Sequence, residues 1–116
     1  RQAATIRLRL DVAQVLLGID QAMPFGLIVN ELVSNSLKHA FAPGASGEIR
    51  VRLHPENGGV YLTVADDGRG FPAEIDFRQT PSLGLQLVNT LTRQLGGTVE
   101  LRRDGGTEFR ITFRAI

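Results

Sequence analysis

Apolar and polar residues alternate in almost every extended segment of this chain, and that pattern narrows its fold more than any other feature. Ile6, Leu8 and Leu10 alternate with Arg7 and Arg9, as in a strand with one buried face. Ile49, Val51 and Leu53 alternate with Arg50, Arg52 and His54, and Val60, Leu62 and Val64 alternate likewise. Pro55-Glu56-Asn57-Gly58-Gly59 lies between these two runs. It predicts a hairpin whose loop is slightly longer than the tightest type. Thr98 to Arg102 and Glu108 to Arg114 predict a second hairpin around Asp104-Gly105-Gly106, with Phe109, Ile111 and Phe113 on one face. Val15 to Ile19 is a short apolar run and reads as a further strand. Alternating strands are covered on one face only, and adjacent hairpins favour antiparallel pairing.

Two helices supply the cover. Asp20 is a good N-cap, and Pro24 is tolerated in the first turn that follows. The helix should run to about Phe41 and stop at Pro43-Gly44, with Leu27, Ile28 and Leu32 in the core. A second helix spans about Leu83 to Leu95, with apolar Leu87, Val88, Leu91 and Leu95, and Gly96-Gly97 closes it. Residues 73–82 leave room for a third short helix. The expected fold is therefore α+β: a two-layer sandwich with a mixed, mostly antiparallel sheet of about five strands, covered on one face by two to three helices. A chain of 116 residues makes one such domain, residues 1–116.

Composition removes several function classes. A net charge of +1 gives no electrostatic case for nucleic acid or an anionic membrane surface. The chain has no Cys, which excludes disulfides, thiolate metal sites and cysteine nucleophiles. No apolar run is long enough to span a membrane, and no signal peptide is visible. A cytoplasmic setting without direct membrane contact is the expectation. The chain starts in mid-pattern at Arg1 and reads as a piece of a longer protein.

Four segments carry possible chemistry. In Asn30 to Phe41, helical spacing puts Glu31, Asn35 and Lys38 or His39 on one face. An acid, an amide and a base in a row suit a hard metal ion and its phosphates, although a solvated helix face has the same look. Asp66-Asp67-Gly68-Arg69-Gly70 follows a strand end. There a carboxylate is a ready acceptor for an exocyclic amino group, and glycines let a flat ligand approach the backbone. Asp-Gly is also common turn chemistry. Ser82-Leu83-Gly84-Leu85 opens the second helix, either as a phosphate site or as an ordinary serine cap. Gly105-Gly106-Thr107 is most simply a turn. His54 alternates onto the polar strand face and reads as bland. No Walker loop, dinucleotide fingerprint, nucleophile elbow or His-Glu zinc pair is present.

In this order the segments resemble the ATP-binding catalytic domain of bacterial sensor histidine kinases. That domain belongs to the superfamily that includes DNA gyrase, the heat-shock chaperone ATPases and the mismatch-repair ATPases. NELVSNSLKHAF resembles the N box, DDGRGFP the first Gly box, SLGLQLV the second, and GGTEFRITF the final Gly-Thr box. The likeness runs from about Ile6 to Phe113 and is greatest to the blue-light and general-stress sensor kinases. It implies ATP and Mg2+ as ligands. Asn35 would hold Mg2+ bridged to the phosphates. Glu31 would orient or deprotonate the attacking group, Lys38 would contact phosphate, and His39 would line the nucleotide. Asp66 would bind the adenine amino group, with Gly68 and Gly70 shaping the pocket. Gly84 and Leu85 would meet phosphate through their backbone, and Thr107 would lie near the adenine. The second box carries Ser82 and Gln86 where the family often has glycine. The segment from Ala73 to Pro81 is short for an ATP lid, with Phe77 and Arg78 as its candidate contacts.

The resemblance further implies phosphoryl transfer to a His on an upstream dimerisation and phosphoacceptor domain, with a response regulator as an indirect partner. It implies a monomeric fragment that does not autophosphorylate alone. A hydrolytic ATPase with Glu31 activating water, a serine kinase that binds a sigma factor, and a docking domain that has lost nucleotide binding are the rival readings.

Overall fold

The computed structural model describes residues 5–42, 44–68, 82–103 and 105–115. Five strands and two helices follow one another: β1 (Ile6–Val12), α1 (Ile19–His39), β2 (Gly47–Glu56), β3 (Gly59–Asp66), α2 (Leu83–Gln94), β4 (Thr98–Arg102) and β5 (Thr107–Arg114). The strands form one sheet in the order β1-β2-β3-β5-β4. β1 runs parallel to β2, and the other neighbours are antiparallel. Parallel neighbours need a crossover, which α1 supplies.

One sheet face meets the helices and the other meets water. From α1 the buried residues are Gln21, Phe25, Ile28, Leu32 and Ser36, a stripe at helical spacing. From α2 they are Leu85, Val88, Leu91 and Thr92. These close over Ile49, Val51, Val60, Leu62, Val64, Phe109, Ile111 and Phe113 of the three inner strands. Phe25 packs on Phe113 with ring centroids 5.6 Å apart. The open face is polar: Glu48 is approached by Arg7, Arg9 and Arg50, and His54 stacks on Tyr61. His54 is thus the bland strand residue that its position in the alternation predicts.

Several boundaries differ from expectation for identifiable reasons. Residues 13–18 form no strand, and α1 begins at Ile19 with Gly18 rather than Asp20 as its N-cap. The Gln21 carboxamide accepts from the Gly18 N–H at 3.1 Å and donates to the Arg114 carbonyl at 2.7 Å, which fixes the helix start. Val15 and Leu17 pack on the core from an extended segment while Leu16 is exposed, so the apolar run records alternate burial without strand pairing. Leu27 is 44% exposed and lies beside the buried stripe. The β2–β3 connection is the tightest kind: Asn57 and Gly58 both have positive φ, 51° and 77°. That is the type I′ geometry which asparagine and glycine adopt most readily. Pro55 extends β2 because β1 ends opposite Leu53, so no neighbour on that side asks for its missing N–H. The possible helix at 73–82 falls almost wholly outside the described residues.

Candidate functional site

The centre of the site is the end of β3. Asp66 is only 5% exposed. Its Oδ2 accepts from Ser36 Oγ of α1 at 2.9 Å, and its Oδ1 accepts from the Gly68 N–H at 3.1 Å. Directly across the antiparallel ladder stands Thr107, also buried, at the start of β5. Opposed residues of such a pair share a sheet face. The next residue, Asp67, does different work. Its Oδ1 accepts from the Glu48 N–H at 2.9 Å and ties the strand end to β2.

Close backbone approach explains two of the glycines. A Cβ on Gly68 would collide with the carbonyl oxygen of Ala40, the residue that caps α1. The end of α1 therefore lies against the loop that leaves β3. A Cβ on Gly106 would collide with the Asp66 carbonyl oxygen, so the entry to β5 presses on the same strand end.

The second half of the site is the meeting of α1 with α2. A Cβ on Gly84 would lie 2.8 Å from Glu31 Oε2. The Glu31 carboxylate thus stands at the first turn of α2, where unpaired N–H groups and the helix dipole favour negative charge. Ser82 caps this helix, its Oγ accepting from the Leu85 N–H at 3.4 Å. Leu85 itself points into the core. Asn35 lies one turn beyond Glu31 and adjoins Ser36, and both Glu31 and Asn35 are half-buried. Lys38 and His39 occupy the exposed last turn of α1.

The structure therefore brings Asp66, Gly68 and Thr107 together at one strand end, and Glu31 and Gly84 together at one helix crossing. α1 joins the two groups through Asn35 and Ser36. Gly70, Phe77 and Arg78 lie outside the described residues. Ser36 is the residue that motif reasoning passed over. Its signal was available: it falls four residues after Leu32, at the polar end of an otherwise apolar buried stripe. Among the described residues no group of three or more His, Cys, Asp or Glu side chains is gathered as a metal site. No helix among them is long and apolar enough to cross a membrane.

This two-layer sandwich carries a buried aspartate at a strand end, bonded to the helix that also bears Asn35. The profile of the histidine kinase-, DNA gyrase B- and HSP90-like ATPase family matches residues 20–115, and the chain belongs to that family. Blue-light-activated histidine kinase 2 of Erythrobacter litoralis is 34% identical over 106 residues, which cover 90% of this chain and 30% of that protein. The sensor histidine kinase PdtaS of Mycobacterium tuberculosis is 35% identical over 97 residues, which cover 80% of this chain and 19% of that protein. The chain therefore spans less than a third of the length of these relatives. Among solved structures, the histidine kinase domain of the Erythrobacter litoralis EL346 blue-light activated kinase superposes with a TM-score of 0.89 at 33% identity. That match covers 96% of this chain and 52% of the solved one.

Proposed function

We propose that this chain is the ATP-binding catalytic domain of a sensor histidine kinase, residues 1–116 forming one domain of a longer protein. In this reading it binds Mg-ATP and donates the γ-phosphoryl group to a histidine on a separate dimerisation domain. The observation that carries the proposal is the buried Asp66 carboxylate. An ionised carboxylate offers about four acceptor positions. Ser36 and the Gly68 N–H take two of them. The remainder suit the exocyclic amino group of adenine, with Thr107 opposite as a second polar contact.

The phosphate end follows from α1. The half-buried Asn35 would hold a nucleotide-bound Mg2+ through its amide oxygen, phosphate and water supplying the other ligands. Such an ion would neutralise phosphate charge. Lys38 places a cation beside the phosphates, His39 lines the nucleotide, and the Gly84-Leu85 turn of α2 presents N–H groups to them. Leu85 contributes only through its backbone. Glu31, at that same turn, orients the incoming imidazole or takes up its proton. The imidazole nitrogen forms a bond to γ-phosphorus, the bond from γ-phosphorus to the bridging oxygen breaks, and ADP leaves. Catalysis of this step is mostly positioning and charge neutralisation. A cytoplasmic location and a response regulator downstream belong to the same reading.

The test uses labelled ATP with the chain alone and with the phosphoacceptor domain of its own longer protein. Acid-labile, base-stable phosphate should appear on the added domain and not on the chain. Stable phosphate on the chain alone, or none on the added domain while ATP binds, would contradict the proposal.

A further inference from the structure

The ladder between β2 and β3 runs from Glu56 opposite Gly59 at the turn to Ile49 opposite Asp66 at the site. A two-residue turn closes on a hydrogen-bonded pair, and such pairs recur at every second position. They fall at His54 with Tyr61, Arg52 with Thr63 and Arg50 with Ala65, and the next falls at Glu48 with Asp67. In an ordinary pair of this kind both bonds join main-chain groups. Here only one does: the Asp67 N–H donates to the Glu48 carbonyl at 3.3 Å. The Glu48 N–H donates instead to Asp67 Oδ1 at 2.9 Å. A side-chain oxygen therefore stands in for the Asp67 carbonyl, and the main chain is free to leave the ladder at that point. One residue later the Gly68 N–H turns back onto Asp66 Oδ1 at 3.1 Å. Gly47 keeps the space for this arrangement, since a Cβ there would lie 2.8 Å from Asp67 Oδ1 and would collide with the Phe41 ring.

We infer that Asp67 is a positioning residue for adenine recognition, an inference that rests on Asp66 accepting from the adenine amino group. The Asp67 carbonyl and the Gly68 N–H belong to one planar trans peptide and point opposite ways. With that carbonyl in the ladder, the Gly68 N–H would point away from β2 along the sheet. Released from the ladder, the same peptide turns and delivers its N–H to Asp66 Oδ1. Ser36 holds Asp66 Oδ2 from α1, so the two bonds fix the carboxylate from two separate elements. Asp67 thus acts on the nucleotide through Asp66. What the position requires is an acceptor oxygen on Cγ, not a charge, because Asp67 is exposed and its charge is screened by solvent.

Calorimetric titration with two nucleotides tests the inference, with circular dichroism to confirm folding. One nucleotide is ATP, and the other is purine riboside triphosphate, which lacks the exocyclic amino group; both are added with Mg2+. The parent should prefer ATP by about tenfold or more, as one hydrogen bond to a buried charge provides. Asp67→Ala should lose most of that preference by weakening ATP, while the analogue stays within about threefold of its parent affinity. Asp67→Asn keeps the acceptor without the charge and should retain the preference. Asp67→Glu keeps the charge but carries its oxygens one carbon too far, and should behave as Asp67→Ala does. Amide hydrogen exchange at Gly68 should be faster in Asp67→Ala and Asp67→Glu than in the parent. A preference retained in both of those variants overturns the inference and leaves the reading of Asp66 standing. An equal loss for both nucleotides overturns it as well, since Asp67 would then serve the fold and not adenine recognition. So does a preference lost in Asp67→Asn. A parent that binds both nucleotides equally overturns the reading of Asp66 and the inference together.

Discussion

Buried carboxylates are costly unless their oxygens are occupied, and at Asp66 the occupants are few and specific. Among the described residues, the Ser36 side chain donates to it at 2.9 Å. Replacing Ser36 by Ala leaves a buried acceptor short of a partner, which costs about 1–3 kcal/mol. Urea unfolding should register that loss, and ATP affinity should fall with it as the carboxylate loses its orientation. Unchanged stability would mean that Ser36 is incidental. This pair also marks how far sequence alone reaches. Asp66 was legible because a carboxylate followed by glycine at a strand end is a pattern. Ser36 was legible only as a polar residue on an apolar stripe, and its partner lies 30 positions away.

Among the elements, the contacts of α1 with its neighbours decide the geometry of the site, and two glycines report on them separately. At Gly68 the opposing atoms are Ala40 backbone, which has no room to yield. Gly68→Ala should therefore destabilise the fold by about 1–3 kcal/mol, as overpacked positions do. Thermal or denaturant unfolding checks this. At Gly84 the opposing atom is the far end of the Glu31 side chain. Gly84→Ala should leave stability within about 1 kcal/mol, because alanine favours the helix while Glu31 swings aside. Phosphoryl transfer should drop about tenfold to a hundredfold through misplacement of that carboxylate. A Gly84→Ala variant with full transfer would show that Glu31 has no part in the chemistry. The elements themselves were readable from alternation and helical spacing, and their errors were local. Gly18 displaced Asp20 as the cap because Gln21 bonds both Gly18 and the distant Arg114 carbonyl. No local pattern announces the second of those bonds.

At the scale of the molecule, the sheet order brings the site together. β3 and β5 are neighbours although α2 and β4 intervene in sequence, and that pairing sets Thr107 opposite Asp66. α1 then crosses the same end of the sheet with Asn35 and Ser36. The one-sided, two-layer architecture followed from the alternation. The parallel placement of β1 and its exposure did not, because alternation records which face of a strand is apolar and not what covers it. The central claim for the whole molecule is one nucleotide site, with adenine read by Asp66 and phosphate-bound Mg2+ by Asn35. Calorimetric titration of the chain with a non-hydrolysable ATP analogue, with and without Mg2+, tests it most directly beside Asp66→Ala and Asn35→Ala. The account predicts saturable one-site binding that is lost in Asp66→Ala, and in Asn35→Ala a weaker binding that no longer responds to Mg2+. Absence of binding by the parent chain, or undiminished binding by Asp66→Ala, would contradict it.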